Sequence, residues 1–338
     1  MNSFYLRNFL RLQNFSSEDI LFLIKYAKKL KFKKIINKEK KHLKNKNIVL
    51  IFEKESTRTR CSFEVASFDQ GAKITYLNTK DIHLGYKESI EDTASTLGKI
   101  YDGIVYRGHI HKNIKKLAKY AKIPVWNGLT ESFHPTQILS DIFTIKEIFF
   151  NKSIQDIKIA YIGDSKNNIS NTLIEASNLL KFKLSLISPK EYLPTQKFLH
   201  TYNIKINKKL NNILLTEDIE KGVYQADVIY TDVWISMGEN ASKEEKKINL
   251  LKKYQVNQNV LKSTCNPFIK VFHCLPALHN TKTIYGKKII QKFNLKNGVE
   301  ITDDVFKSNK KIIFQQSANR VHIVKALIIC SLIKNISF

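Results

Sequence analysis

Asn47-Ile-Val-Leu-Ile-Phe52, followed by Glu55-Ser-Thr-Arg-Thr-Arg60 and Lys73-Ile-Thr-Tyr-Leu77, is the stretch on which the fold turns. The first run is short, apolar and rich in β-branched residues, the pattern of a strand buried on both faces. After STRTR comes helical spacing that sets Cys61, Val65 and Phe68 on one side, and Gly71 offers a natural helix stop. Lys73–Leu77 is again a strand. Strand, helix, strand at this spacing is a parallel βαβ unit.

The same alternation continues outward in both directions. Gly103–Tyr106, Pro124–Asn127, Ile157–Ile162, Lys183–Ile187, Asp227–Tyr230 and Ile269–Cys274 have the composition of strands. Ile114–Ala121, Ile138–Phe150, Asn171–Leu180 and Asn319–Ile333 have helical spacing. Near the start, Ser16-Ser-Glu-Asp19 predicts a helix cap before a stripe of Ile20, Leu23, Ile24, Ala27 and Leu30. No period of a repeat array is present. The expected fold is α/β, with two doubly wound parallel-sheet domains and an active-site cleft between them. The boundaries predicted are 1–150, with a C-terminal helix 319–338 packing back on it, and 151–318.

The 338 residues suffice for two domains of ordinary size. No apolar run approaches the roughly 20 residues of a spanning helix, and the N-terminus lacks the layout of a signal peptide. Neither a membrane location nor export is expected. The four cysteines, Cys61, Cys265, Cys274 and Cys330, form no CxxC pair, which argues against a structural metal and for reduced thiols in a cytosolic protein.

The formal charge of +26 raises a nucleic-acid reading. Only six of the 56 basic residues are Arg, however, and the lysines are dispersed among abundant Asn and Ile. Compositional drift toward Lys explains this better than a phosphate-binding face. Where Lys has replaced Arg almost everywhere, each remaining Arg marks a candidate position for a planar, permanently charged fork.

Several polar clusters fall at predicted strand ends, where α/β sheets bind ligands. Ser56-Thr-Arg-Thr-Arg60 lies where a strand becomes a helix; there it is either an anion site or an ordinary cap with solvated arginines. Tyr106-Arg-Gly108 ends another strand, and His134-Pro-Thr-Gln137 opens the long helix. Three such sets together favour an anionic ligand. The second half carries Asp164, Asn167-Asn168, Asp232 to Gly238 and His273-Cys-Leu-Pro276, and no Arg stands between Arg107 and Arg320. Acceptors without Arg forks suit a diamino acid better than a dicarboxylate. Taken singly, Asp232 could be a cap and Cys274 a small buried hydrophobe.

Taken together, Phe52 to Glu64, Gly85-Tyr-Lys-Glu-Ser89, Tyr106-Arg-Gly108, Phe133-His-Pro-Thr-Gln137, Asp232-Val-Trp-Ile-Ser-Met-Gly238, His273-Cys-Leu-Pro-Ala277 and Asn319-Arg320 strongly resemble the ornithine carbamoyltransferases. STRTR and HPTQ mark the broader transcarbamylase family; SMG and HCLP point to its ornithine branch. The resemblance covers nearly the whole chain and implies transfer of a carbamoyl group from carbamoyl phosphate to L-ornithine, giving citrulline and phosphate, with no cofactor and no metal. It assigns Ser56, Thr57, Arg58 and Thr59 to the phosphate, and Arg107, His134 and Gln137 to the carbonyl and amide; His83, Pro135 and Thr136 would also line the carbamoyl-phosphate site, and Arg320 would reach in from the last helix. Cys274 and Leu275 would lie beside the carbamoyl group, the Leu275 carbonyl accepting from its NH₂, in a family where the Leu-Pro bond is cis. Asn168, Asp232, Ser236 and Met237 would bind ornithine. Arg107, His134, Asp232 and Cys274 would carry the catalysis.

His83 stands where many bacterial members have Gln, in a loop that in the family can reach a neighbouring subunit. That implies a homotrimer. Gly238 to Lys247 is expected to be a mobile lid over ornithine, against the alternative of a solvated surface loop. The rival readings are a transcarbamylase for putrescine or an acetylated ornithine, a basic nucleic-acid-binding protein, and an inactive homologue.

Overall fold

The computed structural model describes residues 2–78, 82, 87–202, 212–235 and 241–336. Its contacts divide the chain into two compact units, Met1–Phe143 with Ala318–Phe338, and Thr144–Ser317.

In the first unit, β1 (Asn47–Phe52), β2 (Lys73–Asn78), β3 (Gly103–Arg107) and β4 (Val125–Leu129) form a parallel sheet in the order β2-β1-β3-β4. Central β1 is buried from Ile48 to Phe52, while edge β2 begins at exposed Lys73 and is otherwise half-buried. This difference explains why one strand is a continuous apolar run and the other is mixed. Val49, Ile51, Ile104, Tyr106 and Val125 pack against Ala94 and Leu97 of the helix Ile90–Ile100, and against Ile114 and Leu117 of the helix His111–Ala121. Fully burying one such aliphatic side chain contributes about 1.5–3 kcal/mol. The free edge of β4 is covered by Phe9, whose N–H donates to the Val125 carbonyl at 2.8 Å.

The second unit repeats the plan with β5 (Lys158–Ile162), β6 (Lys183–Ile187), β7 (Ile213–Thr216), β8 (Val228–Thr231) and β9 (Lys270–His273), all parallel, in the order β7-β6-β5-β8-β9. The doubly wound α/β class expected from the alternation is what the chain adopts. In each sheet the strand order reverses once, between β1 and β3 and between β5 and β8. Loops diverge at such a point and leave a crevice at the carboxyl ends of the strands.

Several elements differ from expectation. The helix Thr57–Asp69 forms, capped by Ser56 and ended at Gly71 with φ 84°. Cys61, Val65 and Phe68 share one side of it, as their spacing indicated; that side is exposed, and Thr59, Ser62, Phe63, Ala66 and Ser67 are buried. Of the polar side chains facing inward, Thr59 meets two guanidiniums and the Ser62 hydroxyl donates to the Arg58 carbonyl at 2.7 Å. The last helix starts at Asp303 and runs to Leu332, far upstream of Asn319. Its lysine-rich first half has no breaker, and Asp303 and Asp304 in its first turn suit a helix N-terminus. Of the lid expected over Gly238 to Lys247, residues 238–240 lie outside the described residues, and the remainder belongs to the helix Ala241–Leu251. Its Glu and Lys content favours that state. The four-residue edge strand β7, half-buried throughout, escaped a pattern-based reading.

Candidate active site

The first unit assembles its candidate residues from four elements. Ser56 caps the helix that follows β1, and its hydroxyl accepts from the Thr59 N–H at 3.2 Å. Thr59 is 1% exposed, and its hydroxyl oxygen accepts from Arg320 Nη1 at 3.1 Å and from Arg107 Nη1 at 3.4 Å. Arg107 is the last residue of β3, whose register with β4 shifts between Tyr106 and Arg107. Gly108 follows because a Cβ there would stand 2.2 Å from the Tyr106 hydroxyl and 2.5 Å from Glu53 Oε2. Arg320 comes from the C-terminal helix and is 2% exposed.

His134, Pro135, Thr136 and Gln137, all buried, enter at the start of the helix Pro135–Ile148. Burial, with the charges of Arg320, Arg107 and Arg58, holds the His134 imidazole well below its ordinary pKa. It is therefore neutral at pH 7 and can donate a hydrogen bond without adding another positive charge. Three guanidiniums act on this one ring beside two helix N-termini, an arrangement whose charge suits a multiply charged anion. Lys54, on the loop after β1, stands near enough to Arg107 that burial and this neighbour lower its pKa. The sequence reading missed Lys54, since one lysine among fifty carries no signal.

The second unit places Asp232 after β8 and Cys274 after β9. The Cys274 thiol donates to Asp232 Oδ1 at 2.7 Å, and the Val233 N–H donates to the same oxygen at 2.8 Å. Burial pushes the Asp232 carboxyl up, against the opposing pull of His273 and of the Cys274 hydrogen bond. Asn168 is the first residue of the helix Asn168–Leu180, which Asn167 caps. The Asn167 side-chain amide donates to the Tyr161 hydroxyl at 2.6 Å, and that hydroxyl donates to the Asp164 carbonyl at 3.1 Å. Asp164 also binds Lys247 at 2.7 Å, a pair in which both side chains are nearly buried.

Leu275 has φ 55°, and the Leu275–Pro276 bond is cis. The Leu275 N–H donates to His273 Nδ1 at 2.9 Å, so His273 Nε2 carries the proton and donates to Glu300 Oε1 at 3.1 Å. Glu300, fully buried, was not among the residues singled out from the sequence. Asp232, His273 and Cys274 present donor atoms within 4.8 Å of one another. Both imidazole nitrogens are already engaged, which takes His273 out of any ligand set. His83, Ser236 and Met237 lie outside the described residues.

Two family descriptions match the chain. Residues 7–147 match the carbamoyl-P binding domain of aspartate/ornithine carbamoyltransferase, and residues 155–331 match its Asp/Orn binding domain. The chain belongs to the aspartate/ornithine carbamoyltransferase family. Within this family it is 56% identical to the ornithine carbamoyltransferase of Buchnera aphidicola subsp. Baizongia pistaciae, over 100% of both chains. It is 50% identical to that of Blochmanniella floridana, over 99% of this chain and 97% of the relative. Among solved carbamoyltransferases, the Pyrococcus furiosus ornithine enzyme superposes with a TM-score of 0.85 at 36% identity, covering 98% of each chain. The anabolic ornithine enzyme of Campylobacter jejuni gives 0.81 at 34%, covering 95% of this chain and 97% of that one.

Proposed function

We propose that the chain catalyses carbamoyl phosphate + L-ornithine → L-citrulline + phosphate, within arginine metabolism. The observation that carries the reading is the Thr59 hydroxyl drawn between the Arg107 and Arg320 guanidiniums beside a neutral His134. Ser56, Thr57, Arg58, Thr59 and Arg320 hold the phosphate. Arg107 and His134 donate to the carbonyl oxygen, and Gln137 with its neighbours Pro135 and Thr136 receives the amide end.

The side-chain amine of ornithine, with a free pKa near that of lysine at ~10.4, arrives protonated and cannot attack. Asp232, with Cys274, takes that proton; a carboxylate whose pKa burial has raised is the better base. The nitrogen lone pair then adds to the carbamoyl carbon and the C=O electrons move onto oxygen, where Arg107 and His134 stabilise them. Collapse restores the carbonyl, breaks the carbon–oxygen bond to phosphate, and transfers the second amine proton to the departing phosphate. Asn168, Ser236 and Met237 bind the amino-acid end of ornithine, and Leu275 lies by the carbamoyl group.

The enzyme works in the cytosol as a homotrimer, with His83 reaching a neighbouring subunit's site. Among the described residues no helix is long and apolar enough to cross a membrane. Val65 and Phe68, 39% and 58% exposed on one side of the helix Thr57–Asp69, support burial against another subunit. A product assay offering ornithine, putrescine and N-acetylornithine tests the reading. Citrulline from ornithine alone is the expected result, and turnover of either alternative amine in preference would replace it.

A further inference from the structure

Gln137 and Asp141 lie one turn apart on the helix Pro135–Ile148, each 1% exposed. Gln137 Nε2 donates to Asp141 Oδ1 at 2.8 Å, while Gln137 Oε1 is buried without a hydrogen-bond partner. Asp141 Oδ1 accepts here, so it fixes which end of the amide faces it. The nitrogen is held down the helix by Asp141, and the oxygen is left without a protein donor. A buried acceptor without a partner is costly unless a ligand supplies a donor.

We propose that Asp141 is a positioning residue that sets the enzyme's choice of acyl phosphate. By locking the Gln137 amide with its oxygen unpaired, it makes the site an acceptor for an –NH₂ group and unfavourable for a methyl group in the same place. Carbamoyl phosphate and acetyl phosphate differ in that one group, so the pair reads carbamoyl against acetyl. This rests on the carbamoyl-phosphate reading of the site. A site built to hydrogen-bond an N–H rejects the analogue lacking it far more strongly than an apolar pocket separates two similar shapes. If the carboxylate is replaced by a carboxamide, which both donates and accepts, Gln137 can turn over and present its NH₂ instead.

The test compares dissociation constants of carbamoyl phosphate, acetyl phosphate and inorganic phosphate for the wild-type enzyme, Asp141→Asn, Gln137→Met and the double variant. The expected result in Asp141→Asn is roughly tenfold to hundredfold weaker binding of carbamoyl phosphate, with acetyl phosphate and inorganic phosphate nearly unchanged. Gln137→Met should lose the same discrimination, and the double variant should lose no more than either single one. Retained preference for carbamoyl phosphate in Asp141→Asn, with phosphate still bound, overturns the proposal. Additive losses overturn it too. If Asp141→Asn does not fold, Gln137→Met alone decides, because preserved discrimination there contradicts the assigned acceptor. Failure of the wild-type enzyme to bind inorganic phosphate or to prefer carbamoyl over acetyl phosphate would instead sink the reading of the whole site.

Discussion

The Cys274 thiol and the Asp232 carboxylate meet at 2.7 Å, across the ends of the neighbouring strands β9 and β8. Parallel pairing sets Thr231 opposite His273, so the next residue of each strand projects at the same sheet edge. Two residues 42 positions apart in sequence are thus joined by register alone. Asp232→Asn keeps the shape of the side chain but removes the proposed base. It should lower kcat/KM for ornithine by about 10²-fold or more while leaving the affinity for inorganic phosphate unchanged. Steady-state kinetics with a parallel phosphate titration checks both halves of that statement.

Arg107 shares the Thr59 hydroxyl with Arg320 and is assigned to the carbonyl oxygen as it gains charge. Arg107→Ala should cost about 10²-fold or more in kcat, the usual penalty for removing one oxyanion donor. Arg107→Lys should rescue little, because a point charge does not reproduce the planar fork. Near-normal turnover by Arg107→Ala would remove Arg107 from the mechanism.

Acid should destabilise the folded chain earlier than its carboxylates alone would require. Burial holds His111 and His322 down to about 3, and His134 also lies well below its ordinary value. The unfolded chain takes up protons on these residues as pH falls below about 6.5, where the folded state does not. Their contribution is therefore fully present above that value and is lost progressively as pH falls toward about 3. The melting temperature should begin to drop near pH 6.5, and His322→Gln should flatten the slope between pH 6.5 and 4. An unchanged slope in that variant would remove His322 from the effect.

Lys325 is fully buried in the first unit, where it pairs with Glu39 at 2.5 Å and with Asp69 at 2.7 Å. Asp69 is shared with Lys34, also at 2.5 Å, and Gln70 donates to Glu39 at 2.9 Å. Removing one member of a buried ion network strands the others. Lys325→Met should lower unfolding stability by about 3–5 kcal/mol, measured by urea denaturation. A loss within 1 kcal/mol would mean that the apolar replacement packs as well as the network does.

Much of this architecture was legible because parallel strands buried on both faces are short apolar runs, and Asn47–Phe52 and Lys183–Ile187 begin and end where expected. The six arginines were informative for a related reason. Arg107 and Arg320 reach Thr59, and Arg58 acts with them on His134. Arg7, Arg11 and Arg60 lay their guanidiniums over Phe15, Phe133 and Tyr76. Each of these is a use a lysine serves less well. Chemistry that acts through tertiary contact stayed hidden. Glu300 lies 27 positions from the histidine it orients, and nothing local marks it. The stripe of Cys61, Val65 and Phe68 lies on one side of its helix as the spacing indicated, but apolar periodicity identifies a face without saying what covers it. Asp141 was invisible for the same reason, as one more acid in a helix.

The most direct test of the central claim is a paired measurement of citrulline and phosphate as purified protein meets carbamoyl phosphate and ornithine. The account predicts equal amounts of the two products, with both rates falling together by about 10²-fold or more in Arg107→Ala and in Asp232→Asn. Phosphate release without citrulline, or citrulline formation undiminished in both variants, would contradict it.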